Sequence, residues 1–96
     1  MSQNSATRNV TVLNPEGLHL RPAGMFAELA AQFEAKIEVI KDGNRFDGKS
    51  ALSLLTLTAV QGTELCIEAT GADASEAIEA LGRLFDEGFA TDDKAK

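Results

Sequence analysis

The 96-residue chain holds one cysteine, one histidine and two prolines, and no tryptophan or tyrosine. A lone Cys66 excludes an internal disulfide. One thiol and one imidazole also leave too few soft ligands for a metal centre, so neither a metal nor another cofactor is expected. Sparse cysteine suits a reducing, cytoplasmic setting. Positive charge is scarce as well: nine Lys and Arg stand against fifteen Asp and Glu, a net charge of -6. No basic stripe exists to neutralise a row of phosphates, which argues against a nucleic-acid partner, and Lys36, Lys41 and Arg45 would make only a diffuse positive face. No segment approaches the roughly 20 apolar residues that span a bilayer, and the first residues lack a basic signal-peptide start, so neither membrane insertion nor secretion is expected. Gly43, Gly48 and Gly62 do not make a nucleotide-binding loop, and Glu34 and Glu38 read as surface charges rather than an acid-base pair.

What is present is a regular alternation of short elements. Residues 10–13 (Val-Thr-Val-Leu) read as a strand stopped by Asn14-Pro15, because proline removes a donor and restricts the residue before it. Over residues 20–33, Phe26, Leu29, Ala30 and Phe33 recur at helical spacing, and Pro22 near the first turn suits a start there. Ile37 and Val39 mark a second strand over residues 36–41, turned by Asp42-Gly43-Asn44 into a short third around Arg45-Phe46. Ser50 can cap a short helix to about Leu57, with Leu52, Leu54 and Leu55 partly buried. Leu65, Ile67 and Ala69 alternate with Glu64, Cys66 and Glu68 in a fourth strand. Asp73 and Glu76 have capping-box spacing ahead of a helix with Ala77, Ile78, Leu81, Leu84 and Phe85 on one face, ended by Gly88. The expected fold is α+β: a four-stranded antiparallel sheet in βαββαβα order, one face covered by two long helices and the other wet. One domain over residues 8–90 is expected, with flexible ends at 1–7 and 91–96.

His19 lies where the turn formers of Asn14-Pro15-Glu16-Gly17 pass into the first helix. Free amides of a helix start and the Arg21 guanidinium beside it suit a group that receives an anion such as a phosphoryl. The helix end favours a neutral ring while Glu16 would favour a charged one, and the sequence leaves that balance open. A histidine there could equally serve as a turn or cap residue.

The run Gly17-Leu18-His19-Leu20-Arg21-Pro22-Ala23, followed by Gly48-Lys49-Ser50-Ala51-Leu52-Ser53-Leu54-Leu55-Thr56-Leu57, resembles the HPr family. These are the histidine phosphocarriers of the phosphoenolpyruvate-dependent phosphotransferase system. The resemblance spans about residues 8–88 and implies the HPr open-faced β-sandwich. It implies His19 as phosphoryl acceptor and donor, modified on Nδ1, with Arg21 stabilising the phosphate. Enzyme I would be the donor and EIIA proteins or domains the acceptors in sugar uptake, the chain being a carrier in a transferase relay with no turnover of its own. Ser50 corresponds to a serine that HPr kinase/phosphorylase modifies for carbon regulation in some bacteria. Leu20, Met25, Lys49, Leu52 and Leu55 fall on the family's docking face, where Glu28, Ala31 and Ser53 replace lysines of enteric members. A monomer is expected. A nitrogen-regulatory paralogue, or a noncatalytic binding module of the same fold, would be the alternatives.

Overall fold

The computed structural model describes residues 4–90. The order is β1 (Ser5–Thr11), α1 (Leu20–Ala30), β2 (Lys36–Lys41), β3 (Asn44–Asp47), α2 (Ala51–Thr56), β4 (Glu64–Thr70) and α3 (Ala74–Asp86). The strands lie β1-β4-β2-β3, every neighbouring pair antiparallel. Leu65, Ile67 and Ala69 of β4 and Ile37 and Val39 of β2 turn to one face, and Phe26, Ala77, Leu81 and Phe85 of the helices close over them. Burying about one face of each strand and one stripe of each long helix is what the two periodicities prescribe. The opposite face is polar, and across it Arg45 on β3 bridges Glu38 on β2 and Glu68 on β4. The hydrogen bond to Glu68, then that to Glu38, hold its guanidinium further above its ordinary pKa. Lys36 stands 3.6 Å from Glu38, and Lys41 donates to the Leu57 carbonyl at 3.0 Å. The three cations anticipated as a diffuse positive face are thus engaged with carboxylates or backbone, and no positive face results.

Two boundaries differ from the sequence expectation. The first strand begins at Ser5 rather than Val10, pairing Ser5 with Thr70 through to Thr11 with Glu64. Its polar outer half carries no hydrophobic signal, yet β4 offers it a full ladder of donors and acceptors. Residues 5–7 of the segment expected to be flexible are therefore in the sheet; residues 1–3 and the tail at 91–96 lie outside the described residues. Arg8 points to the helix side, crosses α3 over Gly82 and reaches Asp86 at 2.6 Å. A Cβ on Gly82 would collide with the Arg8 side chain, so glycine lets Arg8 lie directly on the helix, and a larger residue would make that side chain shift.

The first long helix stops at Ala30, short of Phe33, and the cause lies in a distant residue. The Asp73 carboxylate accepts the N–H groups of Glu34 and Ala35, each at 2.9 Å, and draws the chain into β2. Asp73 is the N-cap residue of α3 by position, but its side chain makes no cap bond, so the anticipated capping box with Glu76 does not form. The bond from Glu34 is the leading cause holding the Asp73 carboxyl below the usual carboxylate range. A depressed carboxyl supplies stability that is fully present above its unfolded pKa of about 3.9 and is lost as pH falls through the lower folded value. Asp73→Asn is therefore expected to be less stable than wild type by a constant amount near neutrality, with the gap closing at acidic pH. Urea titrations at pH 7 and pH 3 check this, and an equal gap at both would contradict it.

Candidate phosphoryl-transfer site

The chain leaves β1 into a four-residue turn, Asn14-Pro15-Glu16-Gly17, closed by the Gly17 N–H donating to the Asn14 carbonyl at 3.0 Å. Asn at the first position, Pro at the second and Gly at the fourth are the residues a type I turn favours. The Asn14 side-chain amide donates back to the Gly17 carbonyl and clamps the turn. Gly17 has φ +77°, and a Cβ there would lie 2.5 Å from the Ala59 carbonyl oxygen. That carbonyl instead accepts the Leu18 N–H at 2.9 Å, which pins the turn to the loop before β4. Gly17→Ala combines positive-φ strain of about 1 kcal/mol with displacement of the loop at Ala59. The expected result is loss of at least that much stability, read by denaturant titration, together with shifted amide resonances from Leu18 to Leu20.

His19 follows as the N-cap residue of α1, with extended backbone (φ -92°, ψ -164°) and no side-chain cap bond. Of the two local roles that the sequence left open, the imidazole does not cap the helix, while its Nε2 does stand beside a residue of the turn. Its side chain is 38% exposed, and Glu16 Oε1 lies 3.1 Å from Nε2. Nε2 itself is sealed from solvent and has no aligned hydrogen bond, so the accessible part of the side chain lies away from that nitrogen. The Ala23 N–H is used by the His19 carbonyl at 2.9 Å and Pro22 has none. Leu20 and Arg21 thus supply the first-turn amides that no helical carbonyl can reach.

Arg21 is exposed, and its Nη1 donates to the Phe89 carbonyl at 3.1 Å and approaches Met25 Sδ at 3.3 Å. Phe89 is wholly buried beyond the end of α3, where its N–H reaches the Leu84 carbonyl and the Gly88 N–H reaches that of Phe85. This pair of bonds, with Gly88 at φ +64°, is a Schellman ending. Sequence reasoning placed the helix stop at Gly88 but missed that the apolar residue after it would anchor Arg21. The signal available was that glycine followed by a large apolar side chain.

Ser50 caps α2 as expected: its Oγ accepts the Ser53 N–H at 3.1 Å. Of the anticipated docking residues, Leu20 and Leu52 are 68% and 74% exposed, while Met25 and Leu55 are half-buried against the core. Lys49 is exposed, and its ammonium donates to the Phe33 carbonyl at 2.8 Å beyond α1. Since α1 packs against α2, the two exposed leucines belong to neighbouring helices. Leu13 and Val60, 50% and 68% exposed, were not anticipated; they sit in the loops on either side of Gly17.

A histidine at a helix start, sealed at one nitrogen and flanked by free amides and a guanidinium, can take a phosphoryl group and hold its oxygens. A family model described as PTS HPr component phosphorylation site matches residues 6–87. The chain belongs to the HPr family. It is a phosphocarrier of the phosphotransferase system, and membership implies enzyme I and EIIA as its relay partners. It is similar to phosphocarrier protein HPr of Neisseria meningitidis serogroup A, 38% identical over 77 residues that cover 80% of this chain and 86% of that one. HPr of Vibrio cholerae is 40% identical over 80 residues, covering 83% and 94%. A crystal structure of HPr from Thermoanaerobacter tengcongensis superposes with a TM-score of 0.85 at 33% identity, covering 91% of this chain and 98% of that one. The HPr open-faced β-sandwich is thus the fold, and no helix among the described residues is long and apolar enough to cross a membrane.

Proposed function

We propose that His19 accepts a phosphoryl group on Nδ1 from phosphorylated enzyme I and passes it to EIIA in sugar uptake. The observation that carries this is the state of the ring: it opens to solvent at the α1 N-terminus while Nε2 is covered beside Glu16. A neutral imidazole whose proton sits on Nε2 offers the Nδ1 lone pair. The amides of Leu20 and Arg21 then receive two of the phosphate oxygens. Arg21 supplies the third contact once its guanidinium leaves the Phe89 carbonyl, exchanging one hydrogen bond for a charge-assisted one to the phosphate. Leu20 and Leu52, with Met25 and Leu55 beneath them and Lys49 beside them, form the docking face in this reading. The relay operates in the cytoplasm with the carrier as a monomer.

Ser50 is the regulatory acceptor for an HPr kinase/phosphorylase. A phosphate on Oγ would add about -1.5 to -2 charges at the start of α2 and replace the cap acceptor with a bulkier group. Its position on the helix that carries Leu52 supports interference with docking. The test is a reconstituted transfer with phosphoenolpyruvate, cognate enzyme I and separate EIIA candidates, and a parallel reaction with an HPr kinase/phosphorylase and ATP, each followed by site-resolved mass spectrometry. Phosphate on His19 should be acid labile and should pass to EIIA, whereas phosphate on Ser50 should survive acid; label on neither residue rejects the assignment.

A further inference from the structure

Glu16 occupies the third position of the turn closed between Asn14 and Gly17, so the backbone fixes where its side chain starts. From there its Oε1 comes within 3.1 Å of His19 Nε2, three residues on. Among the described residues, Nε2 has no aligned hydrogen-bond partner although it is shut off from solvent. A buried polar nitrogen without an acceptor is costly, and the Glu16 carboxylate is the group that stands ready to take its proton's bond after a small rotation.

We propose that Glu16 is the positioning residue for phosphoryl transfer at His19, its carboxylate keeping the proton on Nε2 and the lone pair on Nδ1. This rests on the reading of His19 as the acceptor. In the step itself the Nδ1 lone pair forms the new bond to phosphorus while the donor's bond to phosphorus breaks, its electron pair leaving with the donor. Nε2 keeps its proton throughout, so the ring takes up a positive charge, and the carboxylate stands 3.1 Å from the nitrogen that shares it. Return of the phosphoryl group to an acceptor reverses these changes. A carboxylate that fixes which imidazole nitrogen bears the proton is a general device for presenting the other one.

Glu16 is 77% exposed, so its contribution belongs at the lower end of what such orienting carboxylates supply, about a tenfold change in rate. The experiment compares wild type with Glu16→Ala and Glu16→Gln in two readouts. In nitrogen-15 spectra of the ring under alkaline conditions, wild type should hold a larger share of the Nε2–H form than Glu16→Ala, with Glu16→Gln between them because its amide oxygen still accepts. In transfer from enzyme I, Glu16→Ala should lower the rate at saturating carrier about tenfold with little change in KM, and Glu16→Gln should recover part of it. An unchanged protonation pattern in Glu16→Ala overturns the proposal. So does a loss confined to KM, which would mark Glu16 as a docking residue, or a faster Glu16→Ala, which would mean that repulsion of the incoming phosphate outweighs positioning. Absence of phosphate on His19 in wild type would instead refute the acceptor reading, while the ring spectra would still decide whether Glu16 sets the proton's place.

Discussion

His19→Ala protein mixed with phosphoenolpyruvate and cognate enzyme I is expected to keep its unmodified mass, whereas wild type gains one acid-labile phosphoryl group. The loss should be complete because no second imidazole exists in the chain to substitute for the first. It should also be clean. The ring is 38% exposed and makes no cap bond, so its removal takes away little packing, and stability should change by no more than about 0.5 kcal/mol. Arg21→Ala provides the contrast. It keeps the nucleophile but loses a charge-assisted contact of about 1.5–3 kcal/mol, which slows transfer roughly ten- to hundredfold if the contact is made in the transition state. Equal phosphate on His19→Ala and wild type would remove His19 from the mechanism altogether.

Phe85→Ala should be the most damaging single truncation of the core. Phe85 is 1% exposed on α3, with the Phe26 ring of α1 edge-on at 5.9 Å and the Phe89 ring at 4.8 Å. Truncating a buried Phe costs about 3–5 kcal/mol, and a domain of this size is held by only about 5–15 kcal/mol. The cavity would open where α1 meets α3, and it would free Phe89, whose carbonyl holds Arg21. Urea denaturation should show the lost stability. Under conditions where the variant remains folded, the Arg21 side chain should lose its preferred position in NMR spectra. A cost under about 1 kcal/mol would mean that the neighbouring rings collapse into the space and that this aromatic cluster does not govern the fold.

The long-period patterns were legible because they report burial directly. The alternation through Leu65, Ile67 and Ala69, the strand at Lys36–Lys41 and the stripe through Ala77, Ile78, Leu81 and Phe85 all stand where they were anticipated. So does Ser50 as a cap, since capping depends on one side chain and the backbone three residues on. The polar half of β1 was illegible, because its place depends on ladder bonds to β4, which pair Ser5 with distant Thr70 and are indifferent to side-chain type. Asp73 was misread for a related reason: the local rule offered it the N-terminus of α3, and the amides of Glu34 and Ala35 offered it two donors at once.

By itself the sequence determined the order of elements, the turn that leads into His19 and the pairing of the histidine and serine motifs, all properties of residues close together along the chain. Tertiary structure alone decided which imidazole nitrogen is covered, that Arg21 rests on the Phe89 carbonyl, and that Leu20 and Leu52 stay exposed while Leu54 is buried. Each of these is an outcome of competition among distant groups for the same donors, acceptors and space, and such a competition has no winner until the sheet and helices are packed.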